Sequence, residues 1–339
     1  MALKPYISEV INGRSLSFDE AQKAMTIIMT GEATQAQIGS YLTALRMKGE
    51  TVEEVGGSAA AMRSLYVPVK LQNGKGMVMD VVGTGGDGRH TFNISTTTAF
   101  VVAGTGIQIA KHGNRAASSR SGSADVLMAL GARIDLNSKQ VGDCIDDVGI
   151  GFMYAVNHHP AMRFAIGPRR ELGQRTIFNL LGPLTNPANA SHYMMGVFAP
   201  SLTEQMAGAL RDLGAVAAFV VHGADGLDEL SITGVNKVTH LLNGEIETFE
   251  LDPAGLGFDY GTLEDLIGGT PDENAAITRA ILSGEETGPK RDIVLLNAAA
   301  ALALETRDFA AGLAKAKASI DSGAAAKMLD AWVAKTNQV

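Results

Sequence analysis

The sequence predicts an α/β protein in which a small N-terminal helical domain precedes a larger domain built on a mostly parallel central sheet flanked by helices. Three observations carry that prediction. From Ile7 to about Leu65 apolar positions recur at three- and four-residue spacing, with no good strand between them. From Met77 onward short apolar runs alternate with helical stretches. Glycine numbers 39 in 339 residues, where average usage of about 7% gives roughly 24, so the chain makes many tight turns and close backbone approaches.

In the helical region, Ser17 ahead of Asp19-Glu20 and Thr34 ahead of Gln35 read as polar helix starts. Over residues 66–76 the pattern gives way to Val67-Pro68-Val69 and a glycine-containing turn. A boundary therefore falls near residue 70, with a helical domain over 1–70 and an α/β domain over 71–339. Strand candidates are 78–82, 107–110, 151–155, 193–197 and 217–222, with helices at 97–103, 124–130 and 202–213 between them. Sheets of this kind bind ligands outside the carboxyl ends of their strands. Residues 292–332 read as Ala-rich helix with Gly323 as the one break.

Composition excludes several classes of function. With 46% hydrophobic residues the chain can bury one large core or two moderate ones. A net charge of −8 with only 19% charged residues argues against a nucleic-acid partner, which needs a basic face. The single Cys144 rules out an intramolecular disulfide, no CxxC or Cys/His cluster suggests zinc, and a cytoplasmic location is expected. Residues 1–14 show no secretory signal. The longest apolar stretch, 293–304, contains Asn297 and falls short of the ~20 residues that span a bilayer, so it reads as a buried helix and no membrane partner is expected.

Two phosphate-cradle signatures narrow the chemistry most. The first is Gly83-Thr84-Gly85-Gly86-Asp87 followed by Asn93-Ile94-Ser95-Thr96. The second is Lys111-His112-Gly113-Asn114-Arg115 running on to Ser118-Ser119 and Ser121-Gly122-Ser123. Each follows a strand candidate and precedes a helical stretch, the arrangement in which glycine backbone and helix N–H groups bind anions. Either alone also suits an ordinary tight βα turn; the pair, with Lys111, suggests a ligand with two separated phosphate groups. Asp228-Glu229 lie on a loop after the 217–222 strand, where adjacent carboxylates can converge on Mg²⁺ together with substrate oxygens, or simply decorate a solvated turn. Ser95 could add a hydroxyl. The stretch from His158-His159 to Arg169-Arg170-Glu171 offers an arginine fork suited to a planar carboxylate. The two histidines read as packing or supporting groups. No Ser-His-Asp or Cys-His arrangement and no GxGxxG turn is legible.

These motifs, with Arg175-Thr176-Ile177-Phe178-Asn179-Leu180-Leu181-Gly182-Pro183-Leu184 and His222-Gly223 before Asp228-Glu229, give nearly the whole chain a pattern that resembles the anthranilate phosphoribosyltransferases of tryptophan biosynthesis. The resemblance implies transfer of a phosphoribosyl group from phosphoribosyl diphosphate to the amino group of anthranilate, with Mg²⁺ as cofactor and diphosphate released. It implies donor contacts at Gly83, Gly86, Asp87, Thr91, Asn93, Ile94, Ser95, Thr96, Lys111, His112, Gly113, Asn114, Arg115, Ala116, Ala117, Ser118, Ser119 and Ser123. Anthranilate contacts are implied at Gly83, Asn114 and Arg169, and metal contacts at Ser95, Asp228 and Glu229. No covalent residue is expected; Lys111 would stabilise the departing charge. The resemblance further implies a nucleoside phosphorylase-like fold whose helical domain includes a segment near 160–190, and a homodimer joined through that domain. The chain departs from the usual pattern at Met128 and over 163–168. Two rival readings are a nucleoside phosphorylase, whose additional C-terminal domain has no room before Val339, and a nucleic-acid-binding relative, which the charge opposes.

Overall fold

The computed structural model describes residues 2–72, 76–116 and 120–339. Four helices open the chain, α1 (Lys4–Ile11), α2 (Phe18–Met29), α3 (Gln35–Lys48) and α4 (Val52–Leu65). Ser17, Thr34 and Thr51 each cap a helix through a reciprocal capping box with Glu20, Gln37 and Glu54, which satisfies backbone donors that a helix start otherwise leaves unpaired. Glu54 does more than cap. Fully buried, it also accepts from the Leu16 N–H at 2.9 Å and pairs with Lys48 at 2.8 Å, tying three segments of the bundle together.

The rest of the chain is built on one seven-stranded sheet. Its strands are β1 (Val78–Gly83), β2 (Gln108–Gly113), β3 (Ile150–Tyr154), β4 (His192–Gly196), β5 (Ala217–His222), β6 (Asn236–Leu242) and β7 (Glu245–Leu251), in the order β3-β2-β1-β4-β5-β6-β7. The first five pair in parallel and β6 and β7 are antiparallel. β1, β2 and β5 are each buried at five of six positions, as strands covered on both faces must be. The sequence expected the five parallel strands within a few residues. It missed the β6–β7 hairpin, although Asn243 and Gly244, both at positive φ, form its turn and Asn-Gly between apolar runs is a strong hairpin signal.

Between and around the strands lie α5 (Ile94–Ala103), α6 (Ser123–Ala129), α7 (Ser138–Val148), α8 (Ala155–His158), α9 (Arg163–Leu172), α10 (Phe178–Leu184), α11 (Leu202–Asp212), α12 (Pro271–Ser283), α13 (Pro289–Leu302), α14 (Phe309–Asp321) and α15 (Ala324–Gln338). α5 is buried at all but one residue, between β1 and β2 on one side and α13 on the other, which explains an apolar composition all round. The Ala-rich tail is three helices. Besides Gly323 it breaks after α13, where Arg307 takes φ +58° and Asp308 caps α14. The sequence expected no break there because residues 303–308 carry neither Gly nor Pro. α9 packs against α2 and α3, and α10 against α4.

Candidate active site

Five parallel strands end at one edge, and the chain leaves that edge in opposite directions on the two sides of the β1–β4 pair. β1 leads outward through β2 to β3, whereas β4 leads to β5. Such a switch point opens a crevice. A cavity of about 630 Å³ lies there, lined by residues from both glycine cradles, the acidic loop and the α8–α10 segment.

Backbone proximity explains the glycines. A Cβ on Gly83 would collide with the Asp228 carboxylate, and the Gly85 N–H donates to Asp228 Oδ2 at 2.6 Å. The acidic loop can therefore lie on the first cradle only because Gly83 has no side chain. Gly85 and Gly86 follow at φ +69° and +75°. Asn93 joins the two cradles, with Nδ2 donating to the Ser121 carbonyl at 3.3 Å and Oδ1 accepting from Ser121 Oγ at 3.2 Å. In the second cradle Ser123 Oγ donates to the Asn114 carbonyl at 3.2 Å, and the Ala116 N–H to Asp125 Oδ2 at 3.0 Å.

Charge is concentrated beneath the cradles. Lys111 is buried at the end of β2; its Nζ donates to the Val81 carbonyl at 2.5 Å and lies 3.3 Å from Ser95 Oγ. Burial lowers its pKa, opposed by Asp80, Glu229 and Asp228. Asp80 is fully buried, held by the His112 N–H at 3.2 Å and Asn186 Nδ2 at 2.7 Å, and burial raises its pKa to about 6. Burial and then Asp87 raise Asp228 to about 7; burial and then Asp228 raise Glu229 to about 8. Glu229 Oε1 accepts the Ser95 N–H at 3.2 Å. Lys111 offsets part of the charge on Glu229, and a divalent cation would neutralise the rest of the pair. No group of three or more His, Cys, Asp or Glu side chains forms a ready-made metal cage among the described residues. That suits Mg²⁺, which takes a few carboxylates and completes its shell with water and substrate oxygens.

The opposite wall is more apolar. Arg169, on α9, lies over the Phe178 ring with its guanidinium carbon 5.0 Å from the centroid, and burial lowers its pKa. No carboxylate pairs with it among the described residues. The Gly182 carbonyl can only accept, so His112 carries its proton on Nδ1, 3.1 Å away. Its Nε2 faces His159 Nε2 at 3.2 Å. Burial first, and the neighbouring imidazole after it, hold His112 well below the ordinary histidine range; burial puts His159 at about 4. Both are neutral at pH 7.

Gly83, Gly86, Asp87, Thr91, Asn93, Ile94, Ser95, Thr96, Lys111, His112, Gly113, Asn114, Arg115, Ala116, Ser123, Arg169, Asp228 and Glu229 all line this one cavity. Ala117, Ser118 and Ser119 lie outside the described residues. Arg115 Nη2 lies 3.3 Å from Met128 Sδ, so position 128, where the chain departs from the usual pattern, touches a cradle residue. Sequence reasoning gave no site role to Met162, Ile166, Phe178 and Pro183; it read His159 as a packing or supporting group, and that ring lines the cavity beside His112. These residues come from α8 to α10, whose contact with the strand edge has no local signature.

The family model described as "Glycosyl transferase family, helical bundle domain" matches residues 4–65, and that described as "Glycosyl transferase family, a/b domain" matches residues 75–326. Fold and site thus define an enzyme of the glycosyl transferase family. An anthranilate phosphoribosyltransferase from Moorella thermoacetica is 55% identical over 336 residues, covering 98% of each chain. The structure of the Thermus thermophilus enzyme of that name matches with a TM-score of 0.92 at 42% identity, over 99% of this chain and all of that one. The Saccharomyces cerevisiae enzyme, solved with PRPP and Mg, matches with a TM-score of 0.91 at 30% identity over 99% and 98%; its complex with 4-fluoroanthranilate gives 0.89 at 29% over the same shares. This chain belongs to the anthranilate phosphoribosyltransferase family.

Proposed function

We propose that this chain transfers the 5-phosphoribosyl group from phosphoribosyl diphosphate to the amino group of anthranilate, with Mg²⁺, in the second step of tryptophan synthesis from chorismate. The carrying observation is the single cavity that sets two glycine cradles, Lys111 and the Asp228–Glu229 pair against Arg169 and an apolar wall. The cradle residues named above, with Ala117, Ser118 and Ser119, hold the donor. Gly83, Asn114 and Arg169 hold anthranilate, whose flat ring suits the wall of Phe178 and Pro183 and whose carboxylate suits the guanidinium. Ser95, Asp228 and Glu229 serve the metal.

Loss of diphosphate builds negative charge on the leaving group and positive charge on the sugar. Lys111 and the cradle N–H groups stabilise the first. Mg²⁺, when bound, neutralises diphosphate oxygens. Anthranilate's amine is neutral at pH 7 and needs no strong base before attack, which agrees with two histidines held neutral by burial rather than free to take a proton. Positioning carries most of the catalysis.

The domain division near residue 70 is supported by the four helices that precede β1, and the return of 160–190 to the helical layer by the packing of α9 on α2 and α3. A homodimer through that layer is supported by α3, which exposes the small residues Ala36, Ser40 and Thr43 at helical spacing, and by exposed Met47 and Ile11. The free buried thiol of Cys144 fits a reducing cytoplasm. The functional test follows anthranilate fluorescence in the presence of phosphoribosyl diphosphate and Mg²⁺, with thymidine and phosphate as control. Consumption in the first mixture alone supports the reading, and turnover of thymidine overturns it.

A further inference from the structure

Arg175 lies between α9 and α10, outside the cavity, and none of the site roles above uses it. Its Nη2 donates to the Gly86 carbonyl, and its guanidinium carbon sits 4.3 Å from the centroid of Phe198. The start of the donor loop, Thr84 and Gly85, is held by three hydrogen bonds. The Thr84 N–H donates to the Gly196 carbonyl at 3.0 Å, Thr84 Oγ1 accepts the Phe198 N–H at 3.2 Å, and the Gly85 N–H reaches Asp228. All three come from the sheet side. Arg175 alone comes from the segment that follows α9, the helix that carries Arg169 and packs on the helical layer.

The Gly86–Asp87 peptide is the one that this contact fixes. In a trans peptide the carbonyl and the N–H point in opposite directions. A Gly86 carbonyl turned to Arg175, which does not line the cavity, leaves the Asp87 N–H turned away from Arg175, and Asp87 does line the cavity. Flipping that peptide rotates ψ of Gly86 and φ of Asp87; Gly86 has no side chain to oppose it, and aspartate enters the left-handed region more readily than most residues. A flipped peptide would show a carbonyl oxygen where an anion binds.

We propose that Arg175 is a positioning residue for the diphosphate donor: by holding the Gly86 carbonyl it keeps the Asp87 N–H available to the diphosphate. The proposal rests on the function assigned above. Arg175 is exposed, and so its replacement does not unfold the protein.

The test compares wild type, Arg175→Ala and Arg175→Lys by steady-state kinetics with each substrate varied, together with thermal unfolding. In Arg175→Ala the KM for phosphoribosyl diphosphate rises about tenfold, while the KM for anthranilate changes less than about twofold and the midpoint temperature is unchanged. Arg175→Lys falls between, because an ammonium keeps the charge and loses the flat stack on Phe198. Millimolar guanidinium ion partly restores the Ala variant. A donor KM at the wild-type value, equal rises for both substrates, or a loss of midpoint temperature that accounts for the kinetic loss overturns the proposal. Wild type without transferase activity would instead remove the functional reading, so the two failures are distinct.

Discussion

Arg169 and the Asp228–Glu229 pair show how one cavity assigns different tasks by environment. Arg169 is a half-buried guanidinium on an aromatic face with no paired carboxylate among the described residues, which suits it to a planar acid. Arg169→Ala is expected to raise the KM for anthranilate by about 10- to 100-fold and to leave the donor KM within about twofold, read from initial rates with each substrate varied. The acidic pair has the opposite problem. Its folded pKa values, about 7 and about 8, lie above the ordinary 3.8 and 4.5, so the native state holds more protons than the unfolded chain across that interval. This contribution to stability is full below about pH 4 and is lost as pH rises through 7 to 8. Calorimetry of metal-free protein should therefore show this contribution to the midpoint falling between about pH 4 and 8, with Mg²⁺ restoring stability at the upper end of that range. The double variant Asp228→Asn, Glu229→Gln should show neither the fall nor the recovery, with turnover down by at least about a hundredfold.

Among the elements, β1 and β2 act as rails that deliver chemistry to the crevice, whereas β6 and β7 extend the sheet away from it. β2 runs to Gly113, so Lys111 and His112 are strand residues held by ladder bonds to β3, and their side chains are fixed as firmly as the core. The β6–β7 turn has no such role. Gly244 stands at φ +90° with open space where a Cβ would go, so Gly244→Ala costs about 1 kcal/mol through backbone strain alone. Urea unfolding should register that loss while kcat/KM stays at the wild-type value. A kinetic defect would mean that the hairpin feels the site.

For the whole molecule, the candidate site is a seam between a sheet edge and a helical layer, with the cradles on one side and α8 to α10 on the other. If the exposed face of α3 joins two copies, Thr43→Arg with Met47→Glu should convert a dimer to a monomer in light scattering at micromolar concentration. If one chain completes the site, the monomer should keep most of its turnover. Loss of activity on dissociation would show that the seam needs the partner to stay aligned.

The glycine cradles, Lys111, the acidic pair, the helix caps and the five parallel strands were legible in the sequence because each is a local requirement. A backbone that must approach a neighbour needs glycine, a buried strand needs an apolar run, and a helix start needs a capping side chain. The Asn243-Gly244 turn was equally local and went unread. What no local pattern encodes is which distant segments meet. His159 against His112, Phe178 beneath Arg169, and Arg175 on the Gly86 carbonyl depend on α8 to α10 folding back over the strand ends. That return is set by the packing of α9 on α2 and α3 and of α10 on α4, a balance of buried surface among residues far apart in the chain, which only the tertiary structure decides.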